Sequence, residues 1–429
     1  MITIRDPVHG SVVIGAAELP IVDSRVFQRL RGIKQLGFTD QAFPGATHTR
    51  YAHGIGAMEV ATKMFDALFP AEDGELPVAL RARFRQVLRL AVLLHDVGHP
   101  PASHASEPSM PVRAALGLDK FTAEELKQQA SHEDYTRAIL VMSELRPLVD
   151  AALAPFEAQA EDVAHLVTGR YPERSPTFCA GGVDYFPLLS QIVSGELDAD
   201  RMDYLQRDSF YAGVSYGKFD QPWLIENLEK HLQGDRAFLA IAHRAVFAFE
   251  DFLLSRYHMF VSVYYHYIPI GFDTMLVRFL TEAPEDFELA TDMDGYISMD
   301  DVALWSALRR SKNPWARRIA QRQGYKRILE VNADSGIEEF QAVVSALEAE
   351  GLDYFKSLDR GVLSKYYGRE STLPIYVRNE ALKQSVRIEQ YSRIYERYSH
   401  ATQLHRVYVH PDHATRARQL LQAVIRPVA

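Results

Sequence analysis

Cysteine is almost absent: Cys179 is the only one in 429 residues. That excludes an intramolecular disulfide framework and a cysteine-rich zinc module, and it fits a reducing compartment. Metal chemistry would have to use histidine and carboxylates. Long apolar runs are also missing, since no stretch approaches roughly 18 uninterrupted apolar residues, and Met1-Ile2-Thr3-Ile4-Arg5-Asp6-Pro7 has no charged segment leading into an apolar one. The expected location is therefore cytoplasmic, with no membrane partner. Positive charge is not in excess either: 47 Lys and Arg against 56 Asp and Glu give a formal net charge of -9. A general grip on polyanions is disfavoured, so nucleic acid stays open as a partner without being favoured, and any phosphate site must be local. What is present in quantity is apolar surface. At 47% hydrophobic residues the chain can bury at least one large core, and its length suggests two or three domains.

The opening residues alternate apolar and polar around His9-Gly10, as a short β-hairpin would. Beyond Ala16 the pattern is mostly helical. Amphipathic stretches run through 53 to 69, 79 to 97, 132 to 143, 185 to 207, 221 to 232 and 246 to 282, with proline and glycine at most breaks. Residues 236 to 243 read as a small strand. The acidic stretch Glu282 to Glu288 and the Asp292-Met-Asp-Gly295 turn mark an expected boundary, giving a domain over 1–283 and a mixed α/β region over 284–429. Within the latter, Arg406 to Val409 reads as a strand and Ala414 to Ile425 as a helix. The expected fold is mainly α: a helical bundle with an N-terminal β-hairpin and a small C-terminal α+β appendage. No internal repeat or low-complexity tract is visible.

Histidine carries most of the chemical information. Six of the 16 histidines, at 48, 53, 95, 99, 104 and 132, lie between positions 48 and 132. At Leu93-Leu94-His95-Asp96-Val97-Gly98-His99-Pro100 an apolar helix ends in an imidazole and a carboxylate, followed by a glycine and a proline that stop it. Neutral imidazole with carboxylate suits Mn, Fe, Zn or Ni. A second segment, Asp198-Ala-Asp200-Arg-Met-Asp-Tyr204-Leu-Gln-Arg-Asp208, places Asp200, Tyr204 and Asp208 four residues apart on one helix face, with Met202 and Leu205 turned inward. In a third, Arg256, Phe260 and Tyr264 share a face. His48, Arg50 and His53 precede or begin another helix. Taken singly, each segment has an ordinary explanation as a cap, a solvated face, packed core aromatics or a surface histidine.

Taken together and in order, His53, His95-Asp96 and Asp200 resemble the H...HD...D signature of the HD superfamily of metal-dependent phosphohydrolases. Further segments extend the likeness: Asp6 to Gly10, Phe27 to Arg31, Ile33 to Gly37, Phe43 to Ala46, Arg50 to His53, His95 to His99 and Asp200 to Tyr204 are similar to the sterile-alpha-motif-and-HD-domain dNTP triphosphohydrolases and their bacterial relatives. The likeness covers roughly residues 1 to 280. It implies a divalent metal ion, drawn from Mn, Mg, Fe, Zn or Ni, held by His53, His95, Asp96 and Asp200. It further implies a catalytic His104, supported by His132 and Glu133, with Asp200 serving both metal and catalysis. Arg50, His99, Arg201, Tyr204 and Arg256 match positions that hold a triphosphate, and Gln35, Leu36, Asp208 and Tyr264 match positions around a deoxyribose. Asp23, Gln28 and Arg31 match an allosteric nucleotide site, although Ile2, Thr3, Arg5 and Ala248 do not reproduce its other partners. Pro100 and Ala102 stand where relatives have glycine and a bulky aromatic, and Tyr265 replaces a glutamine near the base.

The activity implied is hydrolysis of deoxynucleoside triphosphates to deoxynucleoside and inorganic triphosphate, by a homo-oligomer that is a dimer or tetramer. Two alternatives stay open: another HD phosphohydrolase (a phosphodiesterase, 5′-nucleotidase or single-strand nuclease), because the same metal cage serves any phosphoester, and a nucleotide-sensing oligomer with weak catalysis.

Overall fold

The computed structural model describes residues 1–119, 121–170, 176–361, 373–394 and 402–425. It is mainly helical, with an N-terminal hairpin, Ile2–Asp6 paired antiparallel with Gly10–Ile14. Asp6 shapes the turn by accepting the Val8 and His9 amides at 2.9 and 2.8 Å.

At the centre lies the helix Arg50–Leu68, buried around most of its circumference. A helix apolar or small on every side belongs in an interior, and here Gly54, Ala57 and Ala61 let its neighbours approach. Gly54 faces the Leu93 carbonyl of the helix Val78–Leu94, and Gly56 faces Asp203 and Arg207 of the helix Ala199–Ala212. Side chains at these glycines would hold the helices apart. Val78–Leu94 is amphipathic at its start but buried without interruption from Val87 to Leu94, so it drives His95 and Asp96 into the interior.

Downstream, two helices, Val246–Met259 and Tyr267–Glu282, flank a π-helical turn at Phe260–Tyr264. The expected helix over 221 to 232 is only half correct. Gln221–Glu226 is helical, but Leu228–Gln233 is a strand paired antiparallel with Arg236–Ala242. Gly234 in the left-handed region at φ 63° closes that hairpin, which is turn chemistry stronger than the helical spacing read across it. Tyr376–Asn379 adds to the other edge of Arg236–Ala242.

The C-terminal α+β appendage is present. Its sheet has Thr402–Val409 between Lys326–Asn332 and Tyr354–Gly361, all antiparallel. The helices Ile337–Ala349 and Ala414–Val424 share a separate small core with it. The main core does not pause at residue 283; it continues through Tyr296, Leu304 and Leu308 to Ile319. No described helix is long and apolar enough to cross a membrane.

Candidate metal centre and its surroundings

Four side chains from three helical elements converge. His53 lies in the first turn of Arg50–Leu68, His95 caps the C-terminus of Val78–Leu94, Asp96 follows, and Asp200 lies in the first turn of Ala199–Ala212. His53 Nε2 is 3.1 Å from Asp200 Oδ1, 3.3 Å from His95 Nε2 and 3.6 Å from Asp96 Oδ2. His95 Nε2 is 3.3 Å from Asp96 Oδ1 and 3.5 Å from Asp200 Oδ1. Donor atoms at roughly 2.1 Å from one cation lie about 3 Å apart when they subtend a right angle. Two imidazole nitrogens facing each other beside two carboxylates fit a shared cation far better than a direct hydrogen bond.

The electrostatics agree. Burial works against a charge on His53, but hydrogen bonds to Asp200 and Asp203 outweigh it and raise its pKa to about 10. Burial likewise opposes charge on Asp200 and Asp96, yet His53 and His95 in one case, and Arg50 and His95 in the other, hold both carboxyls well below the usual range. The negative field that would draw a proton onto these imidazoles is the field that attracts a divalent ion.

The outer ring is built with equal care. His53 Nδ1 is 2.7 Å from Asp203 Oδ2 and His95 Nδ1 is 2.6 Å from the Val92 carbonyl, so both rings turn Nε2 toward the centre. Asp203, fully buried, also accepts two bonds from Arg207 and contacts His9 Nε2 at 2.6 Å, while Arg207 reaches Asp6 at 2.8 Å. The Asp6 to Gly10 turn is thus a brace for a histidine at the centre. Sequence reading passed over Asp203 and Arg207; their four-residue spacing, beginning three residues after Asp200, was the available signal.

A second cluster adjoins the first. His99 Nε2 lies 3.3 Å from Asp96 Oδ1, and the His99 ring stacks on His132 with centroids 3.9 Å apart. Glu107 joins His104 Nδ1 at 3.0 Å and also contacts His132 Nδ1. Glu107 was not anticipated. Glu133 is close enough for its charge to act on His132, but the direct contact is Glu107. Burial, then Arg50 and His132, push His99 well below the ordinary histidine value, so it is a neutral imidazole. Burial opposes a proton on His132, but Glu107 raises it; Glu107 itself is lowered by His104 and His132 against its own desolvation. His104 is 65% exposed, the most open member of the group.

Beyond Asp200 the same helix carries Arg201, Tyr204 and Asp208. Asp198 caps the helix through the Arg201 amide at 2.7 Å and also pairs with the Arg201 guanidinium. From the facing helix Arg256 donates to Glu196 at 2.8 Å, and from the π-helical turn after it Tyr264 donates to Asp208 at 2.7 Å. His48 meets the other Asp208 oxygen at 2.7 Å. Tyr204 and Tyr264 meet edge to face at 6.1 Å. Arg50 is turned inward, onto Asp96 at 2.5 Å and Ser103 at 2.8 Å. Each of the three arginines is therefore already oriented by a carboxylate, two of them by Glu196 and Asp198, which sequence reading did not single out. Nε of Arg201, Nε of Arg256 and Oε1 of Gln35 are buried without a hydrogen-bond partner among the described residues. Leu36 is half-buried beside Gln35. Asp23 caps a helical turn, and Arg31 bonds Gln28 at 2.7 Å and covers the Tyr51 ring.

Comparison with known proteins agrees with this geometry. Residues 50–208 match the HD domain and 219–351 the HD associated region. An uncharacterized protein from Methanocaldococcus jannaschii is 31% identical over 329 residues, 77% of this chain and 60% of that protein; the match thus spans less than two thirds of the relative's length. The deoxynucleoside triphosphate triphosphohydrolase SAMHD1 homolog of Dictyostelium discoideum is 26% identical over 412 residues, 88% of this chain and 73% of that one. The crystal structure of a hypothetical protein from Aquifex aeolicus superposes with a TM-score of 0.75 at 27% identity, covering 98% of this chain and all of that one. The HD match begins at Arg50, three residues before the first clustered histidine, and ends at Asp208, so it encloses every member of the metal-centre quartet: the chain carries an HD domain followed by an HD-associated region.

Proposed function

We propose that this chain is a metal-dependent deoxynucleoside triphosphate triphosphohydrolase, which releases deoxynucleoside and inorganic triphosphate. One observation carries the reading. The helix bearing Asp200 continues into Arg201, Tyr204 and Asp208, and a facing helix with the π-helical turn that follows it sets Arg256 and Tyr264 against them, so a cationic stretch and a polar, aromatic stretch follow the metal centre in the order phosphates, then sugar. The similarity to a relative named for that activity points the same way.

His53, His95, Asp96 and Asp200 would hold the ion, whose Lewis acidity makes water a competent nucleophile at neutral pH. Arg201 and Arg256 offset phosphate charge and the charge that grows during in-line displacement at the α-phosphorus. Their pairing with Asp198 and Glu196 occupies part of each guanidinium and leaves other N–H donors for ligand. His99, wedged between Asp96 and His132, turns Nε2 to the Asp96 carboxylate and lines the same region. His104 gives its proton to the departing 5′-oxygen. Because its Nδ1 faces Glu107, Nε2 is the atom left to act, and His132 shares the same carboxylate. Asp208, held by His48 and Tyr264, and Gln35 recognise the 3′-hydroxyl, while Leu36 and the Tyr264 ring crowd the 2′ position against a ribose.

The test is a panel of dNTPs and rNTPs with Mn or Mg and identification of products, using a His95→Ala/Asp96→Ala double variant as control. Tripolyphosphate from dNTPs, lost in the double variant, is the expected result; no tripolyphosphate from any dNTP overturns the reading. The pre-existing pairing of all three arginines favours one alternative, an HD hydrolase of mono- or diesters that does not need them. Arg256→Ala separates the two: a wild type that cleaves triphosphates and a variant that loses this cleavage support the proposal, whereas a wild type that cleaves only mono- or diesters, equally well in the variant, supports the alternative.

A further inference from the structure

The loop that presents His104 is held in an unusual backbone conformation. Ala102 and Ser103 both lie in the left-handed region, at φ 60° and 56°, where residues other than glycine persist only when their surroundings fix them. Most of the fixing comes from nearby segments: Ser106 Oγ bonds the Pro101 carbonyl at 2.6 Å, and Ser103 Oγ accepts from Arg50 and donates to the Lys34 carbonyl at 2.7 Å. One tie comes from far along the chain. Asp301, in the first turn of the helix Asp301–Arg310 and only 7% exposed, accepts the Ala102 amide through Oδ1 at 2.7 Å and the Lys34 amide through Oδ2 at 2.9 Å. A single buried carboxylate of the HD-associated region thus bridges the strained turn before His104 and the segment that carries Gln35 and Leu36.

We propose that Asp301 is a positioning residue for the reaction: it locks the 100–104 loop to the 34–37 segment, so that the proton donor and the sugar-facing residues keep one mutual placement. The fit at Gly37 supports this, since a Cβ there would sit 2.8 Å from the Ala102 carbonyl and the two segments have no slack between them. Helix geometry supports it as well. The side chain of Asp300, not that of Asp301, caps the Ala303 amide at 2.9 Å, leaving the Asp301 carboxylate free for the two loops. Burial raises the Asp301 pKa against the pull of those two backbone donors, a cost that a cap or a solvated acid would not incur. Asparagine has nearly the same shape, but it presents an NH2 group to one of the two amides and can accept only from the other.

The experiment compares the full chain with Asp301→Asn by amide hydrogen exchange and by steady-state kinetics. Exchange at Ala102 and Lys34 is expected to quicken at least about tenfold, while the helices Arg50–Leu68 and Ala199–Ala212 keep their protection and bound metal per chain is unchanged. In turnover, kcat is expected to fall roughly 10- to 100-fold with a changed pH–rate profile, more than KM rises. The turnover arm rests on the proposed role of His104 and uses whichever nucleotide or bis(p-nitrophenyl) phosphate the wild type cleaves; the exchange arm needs no substrate and stands if the dNTP reading fails. Unaltered exchange at both amides, or a kcat loss that merely tracks metal loss or global unfolding, overturns the inference. If Asp301→Asn does not fold, the wild type decides: a shared opening rate for Ala102 and Lys34 supports the bridge, and independent opening rates overturn it.

Discussion

At the scale of single residues, the site depends on which nitrogen of each imidazole is committed elsewhere. Asp203 fixes Nδ1 of His53, so Asp203→Asn should weaken metal binding by about 10- to 100-fold, measured by titration at a temperature where circular dichroism shows the fold intact. Unchanged metal affinity would show that the brace is not transmitted to the centre. His104→Ala should lower kcat by roughly 10²- to 10⁴-fold, the usual worth of a general acid, with little change in metal content. The Glu107–His132 pair makes a pH-dependent contribution to stability. Glu107 is lowered in the folded state, so its share is complete above its ordinary value of 4.5 and is lost as the pH falls. His132 is raised, so its share is complete below its ordinary value of 6.5 and is lost as the pH rises through the folded value. The Tm difference between wild type and Glu107→Gln is therefore expected to be largest between those two pH values and to shrink on either side. A difference that does not vary with pH would contradict the ion pair.

At the scale of elements, the decisive features are places where helices stop or touch. Val78–Leu94 must end where it does because Gly98 passes against the next helix: a Cβ there would lie 2.1 Å from the His132 carbonyl and 2.2 Å from the Thr136 amide nitrogen. Three donors then pin the turn. Arg29 bonds the Val97 and His99 carbonyls at 3.1 and 2.8 Å, and Tyr296 bonds the Gly98 carbonyl at 2.7 Å. Gly98→Ala should cost about 1–3 kcal/mol by overpacking, read from denaturant midpoints, and should disturb the His95–Asp96 and His132 elements together. The existence of the metal-bearing helices was legible from apolar periodicity and stop signals. The strand Leu228–Gln233 was not, because its spacing imitates a helix until the Gly234 turn is given weight. The π-helical turn Phe260–Tyr264 was also hidden: a plain four-residue spacing put Arg256, Phe260 and Tyr264 on one face, whereas a wider turn re-aims Tyr264 toward Asp208.

At the scale of the whole molecule, the HD-associated region is part of the site's support. Asp301, Tyr296 and the Met299 carbonyl, which accepts from Arg29 at 2.7 Å, all lie beyond residue 283 yet hold loops of the HD domain. The appendage also reaches back: Arg406 donates to the Tyr265 carbonyl and to Glu330 at 2.6 Å, and Tyr408 donates to the Tyr267 carbonyl at 2.8 Å. Arg406 is 2% exposed, whereas its partner Glu330 is open to solvent and also pairs with Arg327, so Arg406→Ala should destabilise the chain by about 1–3 kcal/mol, through lost packing and the lost donor to the Tyr265 carbonyl, and should raise KM through the Tyr264–Tyr267 segment. A stability loss with KM unchanged would mean that the appendage does not influence the site.

The sequence by itself determined the donor inventory: one cysteine leaves imidazole and carboxylate as ligands, and the resemblance of His53, His95-Asp96 and Asp200, in that order, to the HD signature anticipated their meeting. It also determined the helical class, the first hairpin and the small C-terminal unit, since these follow from local periodicity and turn residues. Only the tertiary structure decided which carboxylate serves which imidazole. Glu107 rather than Glu133 contacts His132, Asp203 braces His53, Glu196 and Asp198 hold two arginines, and Asp301 ties two loops together. The reason is physical: an Asp or Glu in a sequence has the same charge wherever it stands, and only burial and distance, which arise when remote segments pack, turn one of many acids into a partner.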